Sequence, residues 1–211
     1  EHFGNPSSDH VYGQRAREAV ARARGQVAAL LGCDADELVF TGGGTEANNL
    51  AIRGVAEARV ERRHVVTSVV EHPATAGPCD WLERHGWSVT RIAVDTDGRM
   101  RVADACAAIS DGTAVVSVMH SNNETGVLQP VDEIAAVART RGALVHTDAA
   151  QSAGKVGLSA SGAFRHDIGT VAVANSLGVR QFGRSGKAEL SLTIVGGQDQ
   201  HGGLGHLRPG K

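Results

Sequence analysis

Clusters of polar residues follow four predicted strands, each at the point where the strand ends. The clusters are Gly42-Gly43-Gly44-Thr45-Glu46, Glu71-His72, Asn122-Asn123-Glu124 and Asp148-Ala149-Ala150-Gln151. In an open parallel sheet, ligands bind beyond the carboxyl ends of the strands. Because all four clusters fall at such ends, we expect them to converge on a single ligand.

The glycine run offers the chemistry of an anion site. Glycines before a helix expose backbone N–H groups at the positive end of the helix dipole, and Thr45 adds a hydroxyl, so the run suits a phosphate. A tight strand-to-helix turn is the alternative reading. A Walker loop is excluded here because no lysine follows, and the near match at residues 181–188 lacks the first glycine and the final Ser or Thr.

The other clusters could complete such a site. Asp148, at a strand tip, could hold a positive charge such as a protonated ring nitrogen, or it could be a turn aspartate. His72 could lie over a ring or move protons, or it could be an ordinary loop histidine. Asn123 and Gln151 could bond a ring oxygen or a carboxylate, although amides in turns are often structural.

Composition bounds the class of protein. The chain has 211 residues, 41% hydrophobic and 21% charged, with a net charge of −2. These values are ordinary for a globular protein and do not favour nucleic acid or an anionic membrane as partner. The cysteines Cys33, Cys79 and Cys106 fit neither a disulfide framework nor a metal site. We therefore expect no metal and a reduced, cytoplasmic setting, with neither a signal peptide nor a membrane span.

Strands and helices are predicted to alternate along most of the chain. A first helix follows the N-cap candidates Ser7, Ser8 and Asp9 and ends at Gly32. Strands are predicted at 37–41, 64–70, 87–94, 114–119 and 144–147, and helices at 46–59, 74–85, 102–109 and 131–141. This alternation, with valine-rich strands, predicts an α/β fold with a mostly parallel sheet and helices on both faces.

The pattern weakens after Val173. We expect a large domain over residues 1–173 and a divergent, glycine-rich segment over 174–211, where periodicity is limited to 190–195. A dinucleotide-binding domain is a weak alternative for the fold, because no Gly-x-Gly-x-x-Gly follows a strand.

Five motifs, in order, carry a resemblance to a known family. They are Asn5-Pro6-Ser7-Ser8, Phe40-Thr41-Gly42-Gly43-Gly44-Thr45-Glu46-Ala47-Asn48-Asn49, Glu71-His72-Pro73-Ala74, Met119-His120-Ser121-Asn122-Asn123-Glu124-Thr125-Gly126 and His146-Thr147-Asp148-Ala149-Ala150-Gln151-Ser152. Together they closely resemble the cysteine desulfurases, class-V aminotransferases that bind pyridoxal 5'-phosphate in the large domain of fold type I. The resemblance covers residues 5–171. The family reaction converts L-cysteine to L-alanine and leaves the sulfur as an enzyme persulfide.

The resemblance implies a role for each motif residue. Gly44 and Thr45 would hold the cofactor phosphate, and His72 would stack on the pyridine ring and take part in proton transfer. Asn123 would contact the substrate carboxylate or the ring oxygen. Asp148 would pair with the pyridinium nitrogen, and Gln151 would bond the phenolic oxygen. The family also implies a cysteine-like amino-acid substrate and a homodimer.

The sequence departs from the family where the cofactor would be tethered. Family members carry Ser-Gly-His-Lys shortly after the aspartate strand, and its lysine forms the Schiff base with the cofactor. Aligning Asp167 with the family places this stretch at Ala172-Val173-Ala174-Asn175. Asn175 then occupies the lysine position, and asparagine cannot form a Schiff base. The chain's lysines, Lys155, Lys187 and Lys211, match no catalytic position.

Other family features are also missing from this sequence. The catalytic cysteine of the family lies on a loop nearer the C-terminus, and an N-terminal strand and a small C-terminal domain are not found here. Three accounts stay open: a truncated or frame-shifted product, a degenerate paralogue that binds cofactor or a partner without turnover, and an enzyme with an unusual lysine.

Overall fold

A computed structural model describes residues 3–154 and the backbone of two further strands, 172–177 and 189–196. The helices are α1 (Val11–Leu31), α2 (Gly44–Ala58), α3 (Pro73–Arg84), α4 (Val102–Ala108) and α5 (Val131–Thr140). The strands are β1 (Leu38–Phe40), β2 (His64–Ser68), β3 (Ser88–Ile92), β4 (Thr113–Ser117), β5 (Leu144–Asp148), β6 (Ala172–Leu177) and β7 (Glu189–Gly196). None of the helices in this part of the chain is both long and apolar enough to cross a bilayer.

The seven strands form one sheet in the order β1-β6-β7-β5-β4-β2-β3. The four strand pairs that do not involve β7 are all parallel. Strand β7 runs antiparallel to both of its neighbours, β5 and β6. The predicted α/β fold with a mostly parallel sheet is therefore confirmed.

Helices cover both faces of this sheet because successive strand residues point in opposite directions. On one face, Val65 and Val115 pack with the buried residues of α2 and α3, such as Ile52 and Leu82. On the other face, Val66 and Val116 pack with residues of α4 and α5; Ala105 and Ile134 are among them. The continuous valine pattern of β2 and β4 thus reflects burial on both sides.

Helix α1 ends as predicted but begins differently. Gly32 is the C-cap, with a left-handed φ of 68° that glycine adopts without strain. The N-cap is His10, whose Nδ1 accepts a hydrogen bond from the Gly13 N–H at 3.1 Å. The prediction of Ser7, Ser8 or Asp9 was wrong. The backbone N–H groups of Ser7 and Ser8 instead close a turn onto Asn5.

Strands β6 and β7 lie in the region where the sequence pattern weakens. The periodic stretch 190–195 falls within β7, but β6 was not predicted. The predicted domain boundary between residues 173 and 174 falls inside β6, and it stays a prediction.

Candidate active site

Parallel strands bring the predicted clusters to one edge of the sheet. β1, β2, β4 and β5 lead with their carboxyl ends into the glycine turn, the Glu71-His72 loop, the 119–125 loop and the 148–151 turn, respectively. This edge is where ligands bind in open α/β sheets.

A cavity of about 170 Å³ opens at this edge. It is lined by Gly44, Thr45, His72, Ala74, Met119, Ser121, Asn123, Asp148, Ala150 and Gln151. The six residues predicted to bind cofactor are all among them. Side chains separated by more than 100 positions in sequence therefore share one small space, and they come from each of the four clusters.

The turn after β1 forms one end of the cavity. Gly43 is the N-cap of α2, so Gly44 and Thr45 are the first two helical residues, two positions earlier than predicted. The first N–H groups of a helix have no partner within it. The Glu46 carboxylate folds back and accepts the Gly42 N–H at 2.6 Å, which fixes the turn. One end of the cavity is therefore formed by the N-terminus of α2, which the Glu46 hydrogen bond holds in place, and by the Thr45 hydroxyl.

Asp148 is the last residue of β5 and is half-buried. Its Oδ2 accepts a hydrogen bond from Asn48 Nδ2 at 2.8 Å, and its Oδ1 accepts the Ala150 N–H at 3.0 Å. Both donors are neutral. The carboxylate is thus oriented on each oxygen by groups that leave its charge in place, so it can pair with a cationic ligand atom.

His72 caps a helix and also lines the cavity. It is the N-cap of α3, with Nδ1 accepting the Ala74 N–H at 3.1 Å, and its exposed ring also lines the cavity. Because Nδ1 is an acceptor, the neutral ring carries its proton on Nε2. The ring is thus held by the start of α3 with the other nitrogen as the donor.

Asn123 and its neighbour Asn122 have different surroundings. The Asn122 Oδ1 accepts the N–H groups of Glu124 and Thr125, and its Nδ2 donates to the Val70 carbonyl at 3.2 Å. Asn122 therefore shapes the loop and ties it to the end of β2. Asn123 lies exposed on this loop and lines the cavity, as does Gln151 across from it on the turn after β5.

Sequence reasoning missed the role of Glu71. Its Oε1 accepts hydrogen bonds from Ser68 Oγ at 2.6 Å and from the Met119 N–H at 3.0 Å, while its Oε2 is buried and has no partner among the described residues. Burial raises the pKa of Glu71 to about 7, against the two hydrogen bonds that lower it. The available signal was an acidic residue directly after the predicted strand at 64–70.

His146 was quoted only as part of a motif, yet it lies fully buried in β5. Its Nδ1 lies 2.7 Å from Ser117 Oγ, its partner residue in β4. Burial lowers the pKa of His146 to about 4, and the Asp148 charge opposes this only in part. The ring is therefore neutral at physiological pH, and it is not part of the cavity lining.

Asn175 lies on β6, of which the structure describes the backbone. It pairs with Ser191 of β7 and comes one position after Ala174, which pairs with Phe40 of β1. Phe40 leads directly toward the glycine turn, so the Asn175 backbone lies near the edge where the cavity opens. Lys155, Lys187 and Lys211 lie outside the described residues.

Comparison with known proteins assigns the chain to a family. The family model described as "Aminotransferase class-V" matches residues 1–163. The chain belongs to this family. Cysteine desulfurase 2 of Trichormus variabilis is 46% identical over 159 residues, which cover 75% of this chain and 40% of that protein. The cysteine desulfurase IscS of Shewanella oneidensis is 48% identical over 156 residues, or 73% of this chain and 39% of that protein.

Solved structures give the same assignment. DndA from Streptomyces lividans matches with a TM-score of 0.73 and 33% identity, covering 91% of this chain and 51% of that one. SspA, solved in complex with cysteine, matches with a TM-score of 0.72 and 32% identity, covering 91% of this chain and 53% of that one. The chain is thus a cysteine desulfurase-like class-V aminotransferase domain. It spans about 40% of the length of the curated relatives it matches.

Proposed function

We propose that this domain binds pyridoxal 5'-phosphate in the cavity without a covalent tether, and that the chain does not by itself turn over cysteine. The observation that carries the proposal is the convergence of Gly44, Thr45, His72, Asp148 and Gln151 on one cavity. The similarity to cysteine desulfurases, which depend on this cofactor, supports the same ligand.

The donor set fits the phosphate end of the cofactor. Backbone N–H groups at the start of the 15-residue helix α2 and the Thr45 hydroxyl suit a phosphate monoester, because the helix dipole adds a partial positive charge. The family's Ser and His beside the lysine would be further phosphate ligands, and Ala172 and Ala174 stand at their positions. The phosphate would therefore be held by the α2 end with fewer contacts than in the family.

The opposite end of the cavity fits the pyridine ring. The Asp148 carboxylate would pair with a protonated ring nitrogen, the Gln151 amide would donate to the phenolic oxygen, and the His72 ring would lie against the ring face. When bound, the cofactor supplies an electron sink that allows bonds at the α-carbon of an amino acid to be broken. His72, with Nε2 protonated, would hold or release a proton at that atom.

A cysteine-like amino acid is the substrate class that the site would take. Asn123 would bond the substrate carboxylate or the cofactor's ring oxygen, and its position on the cavity wall supports either contact. The relative solved with cysteine bound supports the substrate class. A homodimer and a cytoplasmic location are proposed on the basis of the family alone.

The proposal of inactivity rests on Asn175. Its backbone lies at the edge where the family's lysine would reach the cofactor, and an amide has no nucleophilic amine for a Schiff base. The same lysine would also move the substrate proton. His72, Asp148 and the α2 turn would then bind the cofactor reversibly without completing the reaction.

A non-catalytic or frame-shifted remnant is the second candidate. The observation that favours it is that the family match ends at residue 163, ahead of β6. The coding DNA tests this account directly, because a shifted gene would encode the Ser-Gly-His-Lys stretch in another reading frame.

Titration with pyridoxal phosphate tests the binding proposal. We expect saturable binding that is lost on dialysis, that is weakened for pyridoxal lacking the phosphate, and that is weakened by Asp148→Ala. Asp111→Ala, which removes an exposed carboxylate outside the cavity, is the matched control and should bind like the parent.

Borohydride reduction of the loaded protein tests the missing tether. Peptide mass mapping should find no stoichiometric pyridoxyl group on Lys155, Lys187 or Lys211. A stoichiometric adduct on any of them would contradict the reversible site, and failure of the parent chain to bind the cofactor would overturn the proposed function.

A further inference from the structure

One buried amide connects three elements behind the cavity. The Nδ2 of Asn48, on α2, donates to Asp148 Oδ2 at 2.8 Å and to Thr75 Oγ1, on α3, at 3.1 Å. Asn48 and Thr75 are fully buried. Asn48 therefore reaches Asp148 from the protein interior, where each amide hydrogen has a defined acceptor.

The partners fix which way the Asn48 amide is turned. A carboxylate only accepts hydrogen bonds, so the NH₂ end of the amide must face Asp148. The Thr75 hydroxyl accepts the second hydrogen of the same nitrogen and keeps the amide from rotating. Thr75 thus acts on Asp148 through Asn48.

The chemistry of this contact leaves the charge of the carboxylate in place. A hydrogen bond from a neutral donor orients the acceptor without cancelling its charge, whereas a Lys or Arg at position 48 would neutralise it. The Ala150 N–H, a second neutral donor, donates to the other carboxylate oxygen, Oδ1. Asp148 is therefore presented to the cavity as an oriented anion.

We propose that Asn48 is a positioning residue that orients Asp148 toward the protonated ring nitrogen of a pyridine ligand, and that Thr75 locks Asn48 in place. The inference rests on the proposed function, since it assumes pyridoxal phosphate as the ligand. It gives a role to Asn48 and Thr75, neither of which is among the described residues that line the cavity.

Two ligands separate this role from simple structural support. Pyridoxal phosphate carries the ring nitrogen, and its 1-deaza analogue has a C–H in that place while keeping the phosphate and the ring. Asn48→Leu should weaken binding of pyridoxal phosphate about tenfold or more, because a charge-assisted hydrogen bond to Asp148 is lost. Binding of the 1-deaza analogue should change by less than about twofold, since that ligand has no ring N–H for Asp148.

A second pair of variants tests the same idea with a milder change. Thr75→Val keeps the shape of the side chain without the hydroxyl, and it should weaken binding of pyridoxal phosphate by about threefold, again sparing the 1-deaza analogue. Thr75→Ser keeps the hydroxyl and should bind like the parent. This pair also decides the matter if Asn48→Leu does not fold, which circular dichroism would show.

The outcomes are distinct. Equal losses for both ligands in Asn48→Leu and Thr75→Val would overturn the positioning role and leave the binding site intact. Unchanged binding of pyridoxal phosphate by the folded variants would overturn it as well. Failure of the parent chain to bind pyridoxal phosphate would instead overturn the proposed function, and the positioning role with it.

Discussion

The carboxyl group of Glu71 accepts the backbone N–H of Met119 at 3.0 Å, which ties the end of β2 to the end of β4. Ser68 Oγ donates to the same oxygen. One buried acid thus holds together the two loops that carry His72 and Asn123. Its protonation state is consequently linked to the stability of the site.

Glu71→Gln should remove the fall in the free energy of unfolding that Glu71 causes as pH rises. Burial raises the pKa of Glu71 to about 7 in the folded protein, from 4.5 ordinarily. Between these values the folded protein holds one proton more than the unfolded chain, so stability falls as pH rises. The neutral amide cannot ionise. The free energy of unfolding of the variant should therefore rise relative to that of the parent by up to about 3 kcal/mol between pH 5 and pH 8.

Urea denaturation at a series of pH values measures this gain. The matched control is Glu57→Gln, which removes a carboxylate from the exposed side of α2. A gain of the same size in the control, or no change in the pH dependence of Glu71→Gln, would contradict the assignment.

His146 should act on stability in the opposite direction. Burial lowers its pKa to about 4, so between pH 4 and 6.5 the unfolded chain holds the extra proton and stability rises with pH. In the parent this rise is offset by Glu71 over most of the same window. The Glu71→Gln variant should therefore show a rising free energy of unfolding from pH 4.5 to 6.5. A flat profile in the variant, or an NMR titration of the His146 ring near pH 6.5, would count against it.

Alanine substitutions at Gly13 and Gly25, both on α1, should change the free energy of unfolding in opposite directions. A methyl group at Gly13, which is buried, would lie 2.7 Å from the Asn5 carbonyl oxygen and would also strike that of Ser8. We expect Gly13→Ala to lower the free energy of unfolding by about 2 kcal/mol. Gly25 has nothing near its added methyl group, and Gly25→Ala should raise stability by about 1 kcal/mol through helix propensity. Thermal unfolding of both variants checks this, and equal effects would refute the packing at Gly13.

The chain should release no alanine from L-cysteine, and Asn175→Lys should not restore the reaction. Groups that act together are strongly non-additive, so repairing one of several missing groups gains little. By the proposed alignment with the family, Asn175 replaces the lysine, and Ala172 and Ala174 replace its two neighbouring phosphate ligands. The assay is alanine formation with a thiol reductant, with free pyridoxal phosphate as the blank. Turnover above that blank by the unaltered chain would show that the lysine position has been misassigned.

Local signals were enough to predict most of the elements. Gly32 was recognised as a C-cap because a left-handed φ favours glycine, and the paired valines of β2 and β4 indicated strands buried on both faces. The convergence of Asp148 on the glycine turn followed from the rule for parallel strands.

What could not be predicted depends on partners distant in sequence. Asn48 lies 27 residues from Thr75 and 100 from Asp148, so no local pattern reveals their hydrogen bonds. The N-cap of α1 was missed for a local reason, since Ser7 and Ser8 lie in a turn in which Asn5 accepts their backbone N–H groups. The direction of β7 is likewise set by its neighbours in the sheet.

Strand β1, which leads into the Gly44-Thr45 turn, pairs with β6 among the described strands, and β6 reaches β5 through β7. Both connecting strands lie after the last residue matched by the family model. Main-chain pairing depends little on which side chains a strand carries, since every residue except proline offers the same donor and acceptor. A segment that the family model does not match can therefore still connect β1 to β5 through main-chain pairing alone.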